Sequence, residues 1–189
     1  MRIIAGSRRG AALTKLDAVK TRPTADRVRE SLFNILQAGR FRGLLADSQV
    51  IDVFAGTGAL GLEAISRGAA FASFIENDAS ALAVLRANIA KLRFQSSAAV
   101  LAADATKLVH WRHAPASVVF ADAPYQTGGG LVAINALAKI GALGDAAVVI
   151  IETAKTETVD SSSLATGLTP IDQRNYGKAL LHFLTYQTP

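Results

Sequence analysis

Apolar positions recur along this chain at two periods, and their alternation predicts a repeated strand–helix unit. Short apolar runs bounded by small or polar residues predict buried strands at Val50–Phe54, Ala70–Ile75, Ala98–Leu101, Ser117–Ala121 and Ala146–Ile151. The intervening segments predict helices over Ala59–Arg67, Ala79–Leu92, Asp104–Arg112 and Leu131–Ile140. Strands alternating with helices imply a parallel sheet covered on both faces and joined by right-handed crossovers. Leu168–Asn175 and Ala179–Tyr186, joined by Tyr176-Gly-Lys178, add an antiparallel C-terminal hairpin. The expected fold is α/β: a Rossmann-like, doubly wound, mostly parallel sheet of seven strands.

The first 42 residues break this rhythm. Arg2–Ile4 and Ala11–Leu13 flank a turn-rich Gly6–Gly10 and predict a small β-hairpin with arginines at its tip. Thr21-Arg-Pro-Thr24 interrupts the chain, with Thr24 as the expected N-cap of a helix whose buried stripe is Val28, Leu32, Ile35 and Leu36. Gly39–Asp47 reads as a linker. The expected organisation is a basic extension over residues 1–42 and a main domain over residues 43–189.

Charge sharpens that division. Residues 1–42 carry ten Lys or Arg against three acids, a net of +7, while the remainder carries ten against twelve, a net of −2. All the excess positive charge sits in the extension, as expected of a segment that meets phosphates; a solubilising tail is the plainer alternative. With 189 residues, half of them hydrophobic, the chain can bury one domain well. The lack of cysteine excludes disulfides, thiolate metal sites and a cysteine nucleophile. The opening apolar run is too short for a secretory signal. The longest apolar region, Leu131–Ile151, is interrupted by Lys139, Gly141, Gly144 and Asp145, which argues against a membrane span. A soluble, cytoplasmic monomer is expected.

Two stretches carry chemistry. Gly56-Thr57-Gly58-Ala-Leu-Gly61 fits G-x-G-x-x-G between a strand and a helix, where a cofactor can approach the backbone closely. Asp52, on the strand before it, would repel a pyrophosphate and welcome a cationic amino-acid moiety. Glu76 ends the next strand, where a carboxylate can take both ribose hydroxyls. Asp104 ends the third and can accept from an adenine amine. These acids could instead merely cap helices. The second stretch, Asp122-Ala123-Pro124-Tyr125, follows the fourth predicted strand. A carboxylate and a carbonyl there can accept the N–H bonds of a flat amine while the ring stacks on its face.

With these motifs the chain resembles the class I S-adenosylmethionine-dependent methyltransferases, and within them the amino-methyltransferases with Asp/Asn-Pro-Pro-Tyr after the fourth strand. It is most similar to the bacterial 16S ribosomal RNA guanine-N2 methyltransferases of RsmD type. Arg2–Gly6, Thr21–Thr24, Asp26–Asn34, Asp52–Ala64, Ser66–Ala69 and Tyr176-Gly177 carry the likeness over nearly the whole chain. The resemblance implies S-adenosyl-L-methionine as cofactor, held by Asp52, Phe54, Ala55, Gly56, Thr57, Gly58, Gly61, Glu76, Asn77, Asp104 and Ala105, with Arg22, Pro23 and Thr24 closing over it. It implies catalysis at Asp122, Ala123, Pro124 and Tyr125. It further implies RNA contact through Arg2, Arg8, Arg9, Lys15 and Lys20, within a small-subunit assembly intermediate. The family usually has proline where this chain has Ala123. The expected acceptor there is the main-chain carbonyl, which alanine also supplies, and Pro124 still biases Ala123 toward extended backbone.

Three alternatives stay open on sequence alone. A nicotinamide-dependent oxidoreductase shares the glycine loop and Glu76 but gives Asp122–Tyr125 and the basic extension no task. A non-catalytic RNA-binding protein of the same fold is the second. The third differs in substrate only: the N6 amine of DNA adenine, another ribosomal RNA base, or a protein amine. His110 and His113 stand at i, i+3 on a predicted helix, but without a carboxylate or thiolate partner no metal is expected.

Overall fold

Continuous apolar runs become strands with little water contact on either face. In the computed structural model, which describes residues 1–16, 23–123, 128–157 and 159–189, these strands are β1 (Gln49–Val53), β2 (Phe71–Glu76), β3 (Ala98–Ala102), β4 (Ala116–Asp122), β5 (Leu143–Ala154), β6 (Leu168–Tyr176) and β7 (Ala179–Tyr186). They form one seven-stranded sheet in the order β3-β2-β1-β4-β5-β7-β6. The first five strands are parallel, and β7 runs antiparallel to both β5 and β6. The order reverses between β1 and β4, so a crevice opens above their C-terminal ends. The expected α/β, mostly parallel fold is observed.

Alternate strand residues feed two cores. One face of the sheet, with Val50, Phe74, Phe120, Ile150 and Phe183, packs beneath α1 (Pro23–Leu36), α2 (Ala59–Ser66) and α3 (Ala79–Leu92). The other, with Ile51, Val53, Val119 and Val149, packs beneath α4 (Gly129–Lys139) through Ile134 and Leu137. Phe33, Phe74, Phe120 and Phe183 are fully buried, each contributing about 1.5–3 kcal/mol relative to exposure.

The N-terminal segment belongs to the first core: Ile3, Leu13, Val28, Leu32 and Phe33 are buried in it. The expected hairpin forms around a 3₁₀ turn at Gly6–Arg8: Arg2 and Ala12 pair antiparallel, Ile3 N donates to Ala11 O and Gly10 N to Ile3 O at 2.9 Å, and Leu13 N donates to Met1 O at 3.2 Å. The helix that follows opens at Pro23, where the ring's fixed φ suits a first helical position. Thr24 therefore lies inside the first turn and is not the N-cap. Gly39–Asp47 is no free linker, since Leu45 is buried and the buried Phe41 ring stacks on Phe183 at 5.4 Å.

The helix expected over Asp104–Arg112 does not form. A 3₁₀ turn at Ala105–Lys107 is followed by irregular chain up to β4. The Asp104 carboxylate caps this turn, accepting from Thr106 N at 2.9 Å and from Thr106 Oγ1 at 2.6 Å, but the backbone turns extended at Leu108 (φ −65°, ψ 131°) and the turn goes no further. Farther on, Trp111 Nε1 donates to Ala114 O at 3.2 Å and folds the segment back on itself. His110 and His113 consequently share no helical face.

Candidate active site

Parallel pairing raises the carboxyl ends of β2, β1, β4 and β5 along one edge, and each brings an acid. In spatial order these are Glu76, Asp52, Asp122 and Glu152. Val53 is opposite Ala121 across β1 and β4, and Asp122 is opposite Glu152 across β4 and β5. Asp52 is 2 % exposed and lies one residue below its strand's end. Its pKa is pushed up to about 8 by burial, opposed by the Gly61 N–H and reinforced by the charges of Asp122 and Glu76. Asp122 meets water at the crevice mouth while protein encloses the rest of it. Burial first, and the Glu152 charge second, push it up to about 7. Among the described residues Asp52, Glu76 and Asp122 make no ion pair. A row of acids, three of them without an ion pair among the described residues, suits a cationic ligand and disfavours a pyrophosphate.

The glycine loop stands above β1. Strand geometry ends at Val53 because Phe54 turns to φ 59°. Gly56 takes φ +54°, and a Cβ built on it meets nothing nearer than Phe54 O at 3.9 Å. Its freedom serves the turn and leaves the loop open to a ligand. Gly61 serves packing instead: a Cβ there would stand 2.4 Å from Phe74 Cε1. Asp52 Oδ2 accepts from Gly61 N at 2.8 Å and ties α2 to β1.

The carboxylate of Glu76 is already engaged. It accepts from Gly56 N at 2.7 Å, Asn77 N at 2.8 Å and Asp78 N at 2.9 Å. Three of the roughly four acceptor sites of a carboxylate are thereby used, so gripping both hydroxyls of a ribose requires it to release the Gly56 N–H. Asp104 is likewise occupied: Oδ1 caps Thr106, and Oδ2 pairs with Lys107 Nζ at 3.1 Å. Its neighbour Ala105 is buried. Both acids stand where the sequence places them, yet in the free chain they hold backbone.

Buried polar side chains lash the N-terminal segment to this loop. Glu63 is fully buried on α2. It accepts from Ile4 N at 2.7 Å and Ala5 N at 3.0 Å, and pairs with Arg67 Nε at 2.6 Å. Gly6 packs so closely that an added Cβ would lie 1.7 Å from Ser66 O. Asn88, fully buried on α3, accepts from Thr14 N at 2.8 Å and donates to Thr14 O and Thr57 O at 3.1 and 2.9 Å. Thr57 Oγ1 stands 3.8 Å from Met1 Sδ. Of the expected RNA-contacting residues, Arg2, Arg9 and Lys15 are exposed. Arg8 is pinned, donating from Nε to Leu92 O at 2.8 Å and lying 5.4 Å over the Phe94 ring.

Beyond Asp122 the edge opens into a cleft of about 340 Å³ lined by Ala123, Leu131, Asn135, Glu152, Thr153 and Val159, among others. A larger cavity of about 500 Å³ lies against β6 and β7 around Gln173 and the buried His182. It has none of the four acids, whereas the smaller cleft has Glu152 and Ala123 on its wall. Lys20, Arg22, Pro124 and Tyr125 lie outside the described residues, as do the side chains of Pro23 and Thr24. Sequence reasoning missed Glu63, Asn88 and Glu152. Only Glu152 gave a local sign, an acid ending an apolar strand as Glu76 does.

The family model described as conserved hypothetical protein 95 matches residues 1–185 of the chain. Ribosomal RNA small subunit methyltransferase D of Escherichia coli strain K12 is 41% identical over 152 residues, spanning 80% of this chain and 74% of that protein. The protein of the same name from Haemophilus influenzae is 35% identical over 158 residues, spanning 82% and 79%. The solved structure of yhhF from Escherichia coli superposes with a TM-score of 0.83 at 33% identity, over 100% of this chain and 99% of that one.

Proposed function

This chain belongs to the conserved hypothetical protein 95 family, and from that membership we propose that it transfers a methyl group from S-adenosylmethionine to the exocyclic N2 amine of a guanine in 16S ribosomal RNA. It is a ribosomal RNA methyltransferase. One observation carries it. Val53 and Ala121 are partners across β1 and β4, so the glycine loop and Asp122 rise side by side at adjacent strand tips.

The residues present fit the donor. The open backbone at Gly56 admits it, Glu76 and Asp122 answer its sulfonium and ammonium charges, and a cation brought beside Asp52 favours its ionised form. When bound, it supplies an electrophilic methyl on positive sulfur. Asp122 and the Ala123 carbonyl accept the two protons of the guanine amine, which favours a pyramidal nitrogen with a directed lone pair. On accepting that methyl, the guanine nitrogen would shed one proton, to Asp122 or to water. Much of the rate gain is positional, for which roughly 7–11 kcal/mol is available in principle. The guanine must leave its stack to reach the crevice, which favours an unpaired nucleotide. Arg22–Thr24 are assigned to close over the donor and Tyr125 to stack on the purine. Arg2, Arg9 and Lys15 contact phosphates, and the substrate is a small-subunit assembly intermediate.

The test is to incubate the purified chain with labelled S-adenosylmethionine and small-subunit particles lacking the modification, then digest the RNA to nucleosides. Label in N2-methylguanosine supports the reading. Label in N6-methyladenosine, or in no nucleoside, refutes it.

A further inference from the structure

The tip of β5 presents a second carboxylate to the same crevice. Asp122 and Glu152 are direct partners in a parallel register, and residues so paired point to the same face of the sheet. Glu152 is half-buried and lines the 340 Å³ cleft together with Ala123, so one cavity touches both the acceptor motif and this acid. The Glu152 charge also bears on Asp122.

Two adjacent carboxylates match one edge of guanine. That edge carries the N2 amine beside N1–H, neighbouring donors that face acceptors side by side. Adenine offers a donor amine beside an N1 lone pair, which a carboxylate would repel. Asp122-Ala123-Pro124-Tyr125 alone does not separate these amines, because any planar N–H₂ satisfies it. We infer that Glu152 is the specificity-determining residue for guanine, accepting the N1–H while Asp122 and the Ala123 carbonyl hold the N2 amine. The inference rests on the proposed function and names the group that chooses its base.

2-Aminopurine provides the test, because it keeps the N2 amine but has a lone pair at N1. RNA carrying guanosine or 2-aminopurine at the nucleotide that the wild-type chain methylates would be compared by single-turnover methyl transfer. Wild-type protein is expected to prefer guanosine about 10- to 100-fold, the effect of leaving a charged acceptor against a lone pair. Glu152→Gln preserves shape, and its amide can either accept from N1–H or donate to the lone pair, so the preference should fall to within about threefold. Fluorescence of the unstacked 2-aminopurine gives a second readout without turnover. The Gln variant should bind that RNA more tightly than wild type does, whereas a merely structural Glu152 would weaken both RNAs alike. An unchanged preference in the Gln variant, or equal loss on both RNAs, overturns the assignment while leaving the methyltransferase reading intact. Failure of the wild-type chain to methylate guanosine at all overturns both.

Discussion

Asp52 and Asp122 do opposite work with the same functional group. Asp52 holds its proton up to about pH 8 in the folded chain and to its ordinary 3.8 once unfolded. Between those values the unfolded state releases a proton that the folded state keeps, so stability falls as pH rises through this window and levels off above it. Asp52→Asn, whose amide oxygen still accepts from Gly61 N, should match wild type near pH 4 and exceed it by about 5–6 kcal/mol at pH 8 and above. Chemical denaturation at several pH values measures this directly. Asp122 must be ionised to accept amine protons. Its single-turnover rate should therefore climb with pH and reach a plateau, with a midpoint at or below about 7 because a cationic donor favours the carboxylate. A rate that falls as pH rises from 5 to 8 would exclude it as acceptor. Strand-end acids such as Asp52, Glu76 and Asp122 were legible in the sequence because an acid closing an apolar run is a local signal. Glu63 and Asn88 were not, because their partners lie 58, 59 and 74 residues away, and only packing explains a polar group at those helix positions.

At the scale of elements, strands and helices with unbroken apolar periodicity were read almost without error: α3 and β7 match their expected bounds residue for residue. The segment after β3 was misread because its apolar spacing suits a helix while the backbone turns extended at Leu108, one turn beyond the Asp104 cap. The docked N-terminal segment was read only in part. Its turn was visible, but its hold on α2 depends on a buried ion pair and a close backbone approach that no local pattern announces. Two variants test that hold. Gly6→Ala should free the segment, since the added carbon collides with backbone and φ is +82°. The result would be proteolysis within the first 16 residues while the sheet stays folded. Glu63→Ala strands Arg67 and two backbone donors, and should cost about 3–5 kcal/mol in denaturant unfolding.

Over the whole molecule, charge and chemistry are arranged to meet. The basic extension is bound to the glycine loop through Asn88 and Thr57, so the residues proposed to face phosphates are mechanically continuous with those proposed to face the donor. Replacing Arg2 and Arg9 by alanine should weaken RNA binding and lower the log–log salt slope by about 1.4–1.8; an unchanged slope would remove them from the interface. The central claim is that Asp122, beside the glycine loop, orients the amine for methyl transfer. Single-turnover transfer by Asp122→Ala, measured with its S-adenosylmethionine dissociation constant, tests it most directly. The account predicts a rate loss on the order of 10²–10³ with donor affinity largely preserved. A variant that transfers methyl at nearly the wild-type rate would contradict it.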